Sequence, residues 1–145
     1  GPSGMGQTVK LVNQILCAVN MQAVAEALVF AAKAGADLER TLEAISAGAA
    51  GSWQLSNQSP KIFRGDFTPG FMVKLQQKDL RLINQAADEM DLSLPATGLV
   101  HHLFSSLEAH GMGSEGTQAL VKVIEDLAGV KARISDDNTS LSHKF

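Results

Sequence analysis

Two groups of side chains in this sequence have the types and spacing for chemistry. The first is Gln7, Lys10, Asn13, Gln14 and Cys17. On a helix, at about 100° per residue, all five fall within roughly 60° of the Lys10 direction. One amine is thereby set among carboxamides. Near the positive end of the helix dipole an ammonium is disfavoured by ~0.3–1 kcal/mol, which suits Lys10 to giving and taking a proton near neutral pH. Asn13 and Gln14 could orient a bound molecule without adding charge. The other reading of this stripe is a solvated patch where the helix leaves the core. The second group surrounds Asp79. Met72, Leu75, Leu82, Ile83, Ala86 and Met90 project within about 60° of one direction, with Asp79 at the centre. An unpaired buried carboxylate costs several kcal/mol, so Asp79 requires a partner or a wet cleft beside it. Lys78 points to the flank of that stripe. Here the alternatives are a structural ion pair for Asp79 and a surface role for Lys78.

Other signals are weaker. Gly111, Gly113 and Gly116 spell a literal G-x-G-x-x-G. A dinucleotide loop of that pattern follows a strand and opens a helix in a βαβ unit. Here a helical segment precedes it, so the glycines read as a turn between helices. His101 and His102 are adjacent and diverge on a helix, and no His or carboxylate stands four residues away to complete a metal site. No metal is expected. The serines have no His and Asp partners by spacing, which leaves nucleophilic catalysis unsupported. Trp53, the one tryptophan, follows Gly51-Ser52 at a helix start, where it either joins the core or walls a pocket.

The elements that must position these groups are helical. Residues 6–34 have no Pro or internal Gly and are apolar nearly all round, as befits a buried central helix. Gly35 follows as its C-terminal cap. Asp37 caps a second helix over 38–47, and a short one covers 52–58. Residues 60–70 read as irregular, closing on a Thr68-Pro69-Gly70 turn. Further helices cover 71–90, then 95–110 (capped at Ser93, with Pro95 in the first turn), then 117–128. From Gly129 the chain turns polar and reads as a mobile tail over 129–145. We therefore expect an all-α fold, one helical domain over 1–128 built around one long buried N-terminal helix.

Composition limits the function. The chain has 145 residues, 45% of them hydrophobic, with 12 Lys+Arg against 15 Asp+Glu and a net charge of -3. It can fill one core, and it lacks the basic field that nucleic acid or an anionic membrane surface would require. A single cysteine, Cys17, forms no internal disulfide and points to the cytoplasm. Asn13, Gln14, Asn20 and Gln22 interrupt the first apolar stretch, arguing against a membrane span. Residue 1 is Gly and the first Met is Met5, which reads as a trimmed or partial chain.

Four segments, in order and spacing, resemble the β-hydroxyacid dehydrogenases, the group that includes 3-hydroxyisobutyrate dehydrogenase and tartronate semialdehyde reductase. They are Gly4-Met5-Gly6-Gln7-Thr8-Val9-Lys10 running on to Asn13-Gln14, Gly48-Ala49-Ala50-Gly51-Ser52-Trp53, Asp66-Phe67-Thr68-Pro69-Gly70-Phe71, and Lys78-Asp79-Leu80, with Gly111-Met112-Gly113 following. The resemblance covers about residues 1–128, and it is to the second, all-helical domain of a two-domain enzyme. It implies an NAD(P)-dependent oxidoreductase that interconverts a small 3-hydroxyacid, or a 2-hydroxy-3-oxopropionate/glycerate-type substrate, and its semialdehyde. NAD or NADP would be held mainly by a Rossmann domain whose fingerprint this chain lacks, so the isolated domain would be inactive. Carried over, Lys10 is the general acid/base. The family's Asn falls at Gln14, with Asn13 one residue earlier, and either could serve as the substrate-orienting amide. Trp53 and Phe71 match substrate-pocket positions. Lys78 matches a lysine near the nicotinamide end of the cofactor, and Asp79 the neighbouring supporting acid. The family also implies a homo-oligomer, at least a dimer. The alternative is a non-catalytic helical dimerisation module derived from such a dehydrogenase, with Gln14 in the family's Asn place as its best support.

Overall fold

A computed structural model describes residues 3–135. Among them the chain forms α1 (Met5–Lys33), α2 (Leu38–Ser46), α3 (Trp53–Phe63), α4 (Val73–Glu89), α5 (Pro95–Ala109), a 3-10 turn (Thr117–Leu120) and α6 (Val121–Ala128). The all-α architecture is as the sequence predicts. The 29-residue α1 is the axis, packing against every other element. Its length and apolarity would also suit a membrane span, but here Ala18, Met21, Ala25 and Leu28 are buried in the core. They meet Leu55 and Ile62 of α3, Leu80 and Ile83 of α4, and Phe104 and Leu107 of α5 in one cluster. Each buried Leu, Ile, Met or Phe among them contributes ~1.5–3 kcal/mol by leaving water.

Local signals explain the ends. Gly35, at φ 78°, closes α1: its amide donates to Ala32 O and the next amide to Ala31 O, the paired bonds of a Schellman cap. Asp37 caps α2 through Arg40 N at 3.0 Å, and Ser52 caps α3 through Leu55 N at 3.0 Å.

The structure corrects several expectations. α1 is buried over its C-terminal part only; Val9, Val12 and Leu16 are exposed. α3 does not stop before Pro60 but runs through it to Phe63, because burying Ile62 and Phe63 offsets the one amide that proline cannot donate. The apolar stripe expected to bury α4 is partly outside: Leu75, Leu82 and Met90 are exposed, while Val73, Gln76, Gln77, Leu80 and Ile83 face inward. Ser93 is not a cap; α5 begins after Leu94 with Pro95 in its first turn. Packing also continues past residue 128. Ala132 is fully buried, Ile134 N donates to Phe63 O, and the Glu125 carboxylate accepts from Ala132 N at 2.8 Å and from both Arg133 guanidinium nitrogens at 2.7 and 3.1 Å. The remainder of the polar tail, 136–145, lies outside the described residues.

Candidate active site

The site begins where α1 passes α4. Asp79 is buried, and both its oxygens have partners contributed by α1. Gln14 Nε2 donates to Oδ2 at 2.8 Å, and Lys10 Nζ stands 3.6 Å from Oδ1. A buried carboxylate is tolerated only with partners of this kind. Asn13 Nδ2 donates to Gln14 Oε1 at 3.1 Å and reaches Cys17 Sγ at 3.5 Å. The helical projection that groups Lys10, Asn13, Gln14 and Cys17 on one face therefore corresponds to a contiguous polar network, and Asp79 joins it from α4. The Lys10 side chain is 56% exposed, so its amine is reachable from outside.

Beside this network lies a concavity of ≈ 370 Å³, lined by Gln14, Cys17, Trp53, Gln54, Gln58, Lys61, Gly70, Phe71, Gln76 and Thr117. Gln14 belongs to both network and cavity. Trp53 opens α3 and stands largely exposed, and Phe71 lines the same cavity from the turn before α4. That turn is fixed at several points. Asp66 Oδ1 accepts from Thr68 N at 3.0 Å, a bond that holds the Asp66 carboxyl below its ordinary range. Gln118 Nε2 donates to Asp66 O and Thr68 O, each at 3.1 Å, and Gly116 N and Thr117 N donate to Phe67 O and Phe71 O. Lys122 and Arg133 cover the Phe67 ring at 4.2 and 4.9 Å, within cation–π range.

Of the seven residues singled out from sequence, Gln14, Trp53 and Phe71 line one cavity, and Lys10, Asn13 and Asp79 form the network behind it. Lys78 does neither. It is exposed on α4 beside the half-exposed Leu75 and Leu82 and makes no ion pair among the described residues. The glycine loop offers no dinucleotide cradle, because the amides that would hold a phosphate are engaged within the fold: Gly111 N donates to Glu108 O at 3.0 Å, Met112 N to Leu107 O at 2.9 Å, Glu115 N to Met112 O at 3.2 Å and Gly116 N to Phe67 O at 2.8 Å. Gln54, Gln58, Lys61, Gln76 and Thr117 were not legible as site residues. Gln54 and Gln58 recur at i, i+4 on α3, but neutral amides at that spacing carry no chemical signature.

Comparisons with known proteins give the family and the fold. The family model described as NAD-binding of NADP-dependent 3-hydroxyisobutyrate dehydrogenase matches residues 4–124. A probable 3-hydroxyisobutyrate dehydrogenase-like 1, mitochondrial, of Arabidopsis thaliana is 45% identical over 94% of this chain and 41% of its own length. The 2-hydroxy-3-oxopropionate reductase of Escherichia coli (strain K12) is 42% identical over 90% of this chain and 45% of its own. The crystal structure of 3-hydroxyisobutyrate dehydrogenase from Salmonella typhimurium superposes with a TM-score of 0.77 at 33% identity, covering 81% of this chain and 41% of that one. The chain thus spans less than half the length of the curated relatives it matches.

Proposed function

The chain belongs to the 3-hydroxyisobutyrate dehydrogenase family, and we propose that it is the helical, substrate-binding part of an NAD(P)-dependent oxidoreductase interconverting a small 3-hydroxyacid and its semialdehyde. The observation that carries this reading is the continuous path from an accessible amine, through a buried carboxylate and a carboxamide, into a cavity of substrate size. In the oxidative direction the neutral Lys10 amine takes the proton of the substrate hydroxyl and becomes an ammonium beside Asp79; in the reductive direction that ammonium returns the proton to the carbonyl oxygen. Positioned proton transfer of this kind contributes ~10²–10⁴-fold. Asp79 holds the Lys10 ammonium in place, and Gln14 fixes Asp79 from its other oxygen. Gln14 takes the substrate-facing amide role, with Asn13 behind it bracing its carbonyl. Trp53 and Phe71 cover the cavity mouth and exclude water from the reacting carbon. Lys61, the one charged side chain in the lining, receives the acid's carboxylate. Lys78 contacts the nicotinamide cofactor, which when bound supplies the hydride acceptor or donor.

In the full-length protein, NAD- or NADP-dependent oxidation of small 3-hydroxyacids is expected. Lys10→Ala should lower turnover by ~10²-fold or more without changing helicity by circular dichroism. Retained turnover in that variant would remove Lys10 from the role. The cytoplasm remains the compartment we favour, on the strength of the single free Cys17.

A specific observation also supports association. Met5, Val9, Val12 and Leu16 form an exposed apolar row on α1 at the i, i+4, i+7, i+11 spacing of a helix–helix seam. We assign this row to burial within a homo-oligomer. A full-length monomer by sedimentation at micromolar concentration would contradict it. If the row associates while no hydroxyacid is turned over, the chain is a dimerisation module instead.

A further inference from the structure

Phe71 reaches the cavity from a segment with no regular structure. That segment joins α3 to α4, and its Gly70 and Phe71 line the cavity. A side chain so carried is only as well placed as the backbone beneath it. Four carbonyl oxygens between residues 66 and 71 are held, and every donor comes from three consecutive residues. Gly116 N donates to Phe67 O at 2.8 Å and Thr117 N to Phe71 O at 3.0 Å. Gln118 Nε2 donates to Asp66 O and Thr68 O, each at 3.1 Å. Thr117 is itself in the lining, so Gly70, Phe71 and Thr117 form one wall resting on a single set of bonds.

Gln118 supplies the one side chain among those donors. It is 1% exposed and bridges two main-chain oxygens, which uses both hydrogens of its amide nitrogen. A methyl group at Gly116 would meet this carboxamide, so the close approach requires a glycine there. Lys122 holds the two ends of the segment together. Its Nζ lies 4.2 Å from the centroid of the Phe67 ring and bonds the Glu115 carboxylate oxygens at 3.0 and 2.8 Å. The Glu115 carbonyl accepts in turn from Val73 N at 2.9 Å, at the first residue of α4. Neither Gln118 nor Lys122 lines the cavity. Resting on the dehydrogenase reading above, we propose that both are positioning residues: without touching substrate, they fix the 66–71 segment and thereby hold Phe71 against the hydroxyacid. Misplacing a substrate-contacting group by about 1 Å can cost about 10²-fold in rate.

The test uses full-length enzyme with 3-hydroxypropanoate or its 2-methyl or 2-hydroxy derivative, whichever is turned over. Gln118→Met keeps the buried volume and removes both donors. It should lower kcat/KM for the acid by about 10- to 100-fold while the dinucleotide KM stays within about 2-fold of wild type. Lys122→Met, at a side chain 28% exposed, should lower it by about 3-fold. In a Phe71→Ala background the group being positioned is gone, so either substitution should change kcat/KM by less than about 2-fold. Equal losses in the two backgrounds, or a parallel rise in the dinucleotide KM, would mark a merely structural role and overturn the assignment, as would unchanged kinetics in either folded variant. Lys122→Met decides alone where Gln118→Met does not fold, and the split between acid and dinucleotide decides alone where Phe71→Ala has no turnover. Each of those results leaves the dehydrogenase reading intact. Absence of NAD(P)-dependent turnover of all three acids by the wild type would overturn that reading, and this assignment with it.

Discussion

Asp79→Ala is the perturbation that probes the network most sharply. Removing the carboxylate strands Gln14 Nε2, a buried donor whose bond to Oδ2 is 2.8 Å long. A hydrogen bond to a charged group contributes ~1.5–3 kcal/mol. The Lys10 contact adds little, because at 3.6 Å with a side chain 56% exposed it resembles a surface pair worth ~0–1 kcal/mol. The summed cost is ~2–4 kcal/mol. Asp79→Asn keeps the volume and an acceptor for Gln14, losing only the charge assistance, so it should cost ~1 kcal/mol. Lys10→Met should cost at most about 1 kcal/mol. Urea unfolding followed by circular dichroism measures all three. A Lys10 variant as damaging as Asp79→Ala, or an alanine variant within ~0.5 kcal/mol of wild type, would refute the description of Asp79 as a buried acid held mainly by Gln14.

Other outcomes follow from separate parts of the fold. Glu125→Ala removes the acceptor of Ala132 N and both Arg133 nitrogens; it should cost ~2–4 kcal/mol and expose the 129–135 segment to limited proteolysis. Gly51→Ala drives a methyl group against the Ser46 carbonyl oxygen, with Gly48 O at 3.0 Å; a loss of ~1–3 kcal/mol in urea unfolding is expected. Burial, then the charges of His102 and Arg81, lower the His101 pKa from 6.5. The unfolded chain therefore binds that proton more readily, so this contribution to stability is present above about pH 6.5 and is lost as pH falls through the folded value. His101→Gln should flatten the fall of the urea midpoint between about pH 7 and about pH 5, and equal slopes would contradict it.

The parts of this architecture legible in sequence are those with a local cause. Gly35 and Asp37 mark a helix stop and start by backbone and capping chemistry alone. Lys10 and Gln14 fall together by helical angle. Burial of a carboxylate at Asp79 already demanded a partner, but the partner lies 65 residues away, and no local rule supplies that distance; the family resemblance connects the two segments only by analogy. The rotation of α4 was hidden for a related reason. Periodicity assigns Leu75, Leu82 and Met90 to the core because they are apolar, whereas the core takes Gln76 and Gln77, whose amides serve tertiary contacts or the cavity. Pro60 reads as a helix end because the local penalty is visible in sequence and the burial of Ile62 that outweighs it is not.

The central claim is that Lys10 exchanges a proton with the substrate. Here its amine rests on Asp79, 3.6 Å from Oδ1. A crystal structure of the full-length enzyme with cofactor and an unreactive 3-hydroxyacid analogue tests the claim most directly. Lys10 Nζ is expected within about 2.6–3.2 Å of the substrate hydroxyl oxygen, directly or through one water, with Gln14 still on Asp79. An analogue bound in the Trp53–Phe71 cavity with Nζ beyond about 5 Å and no bridging water would contradict it.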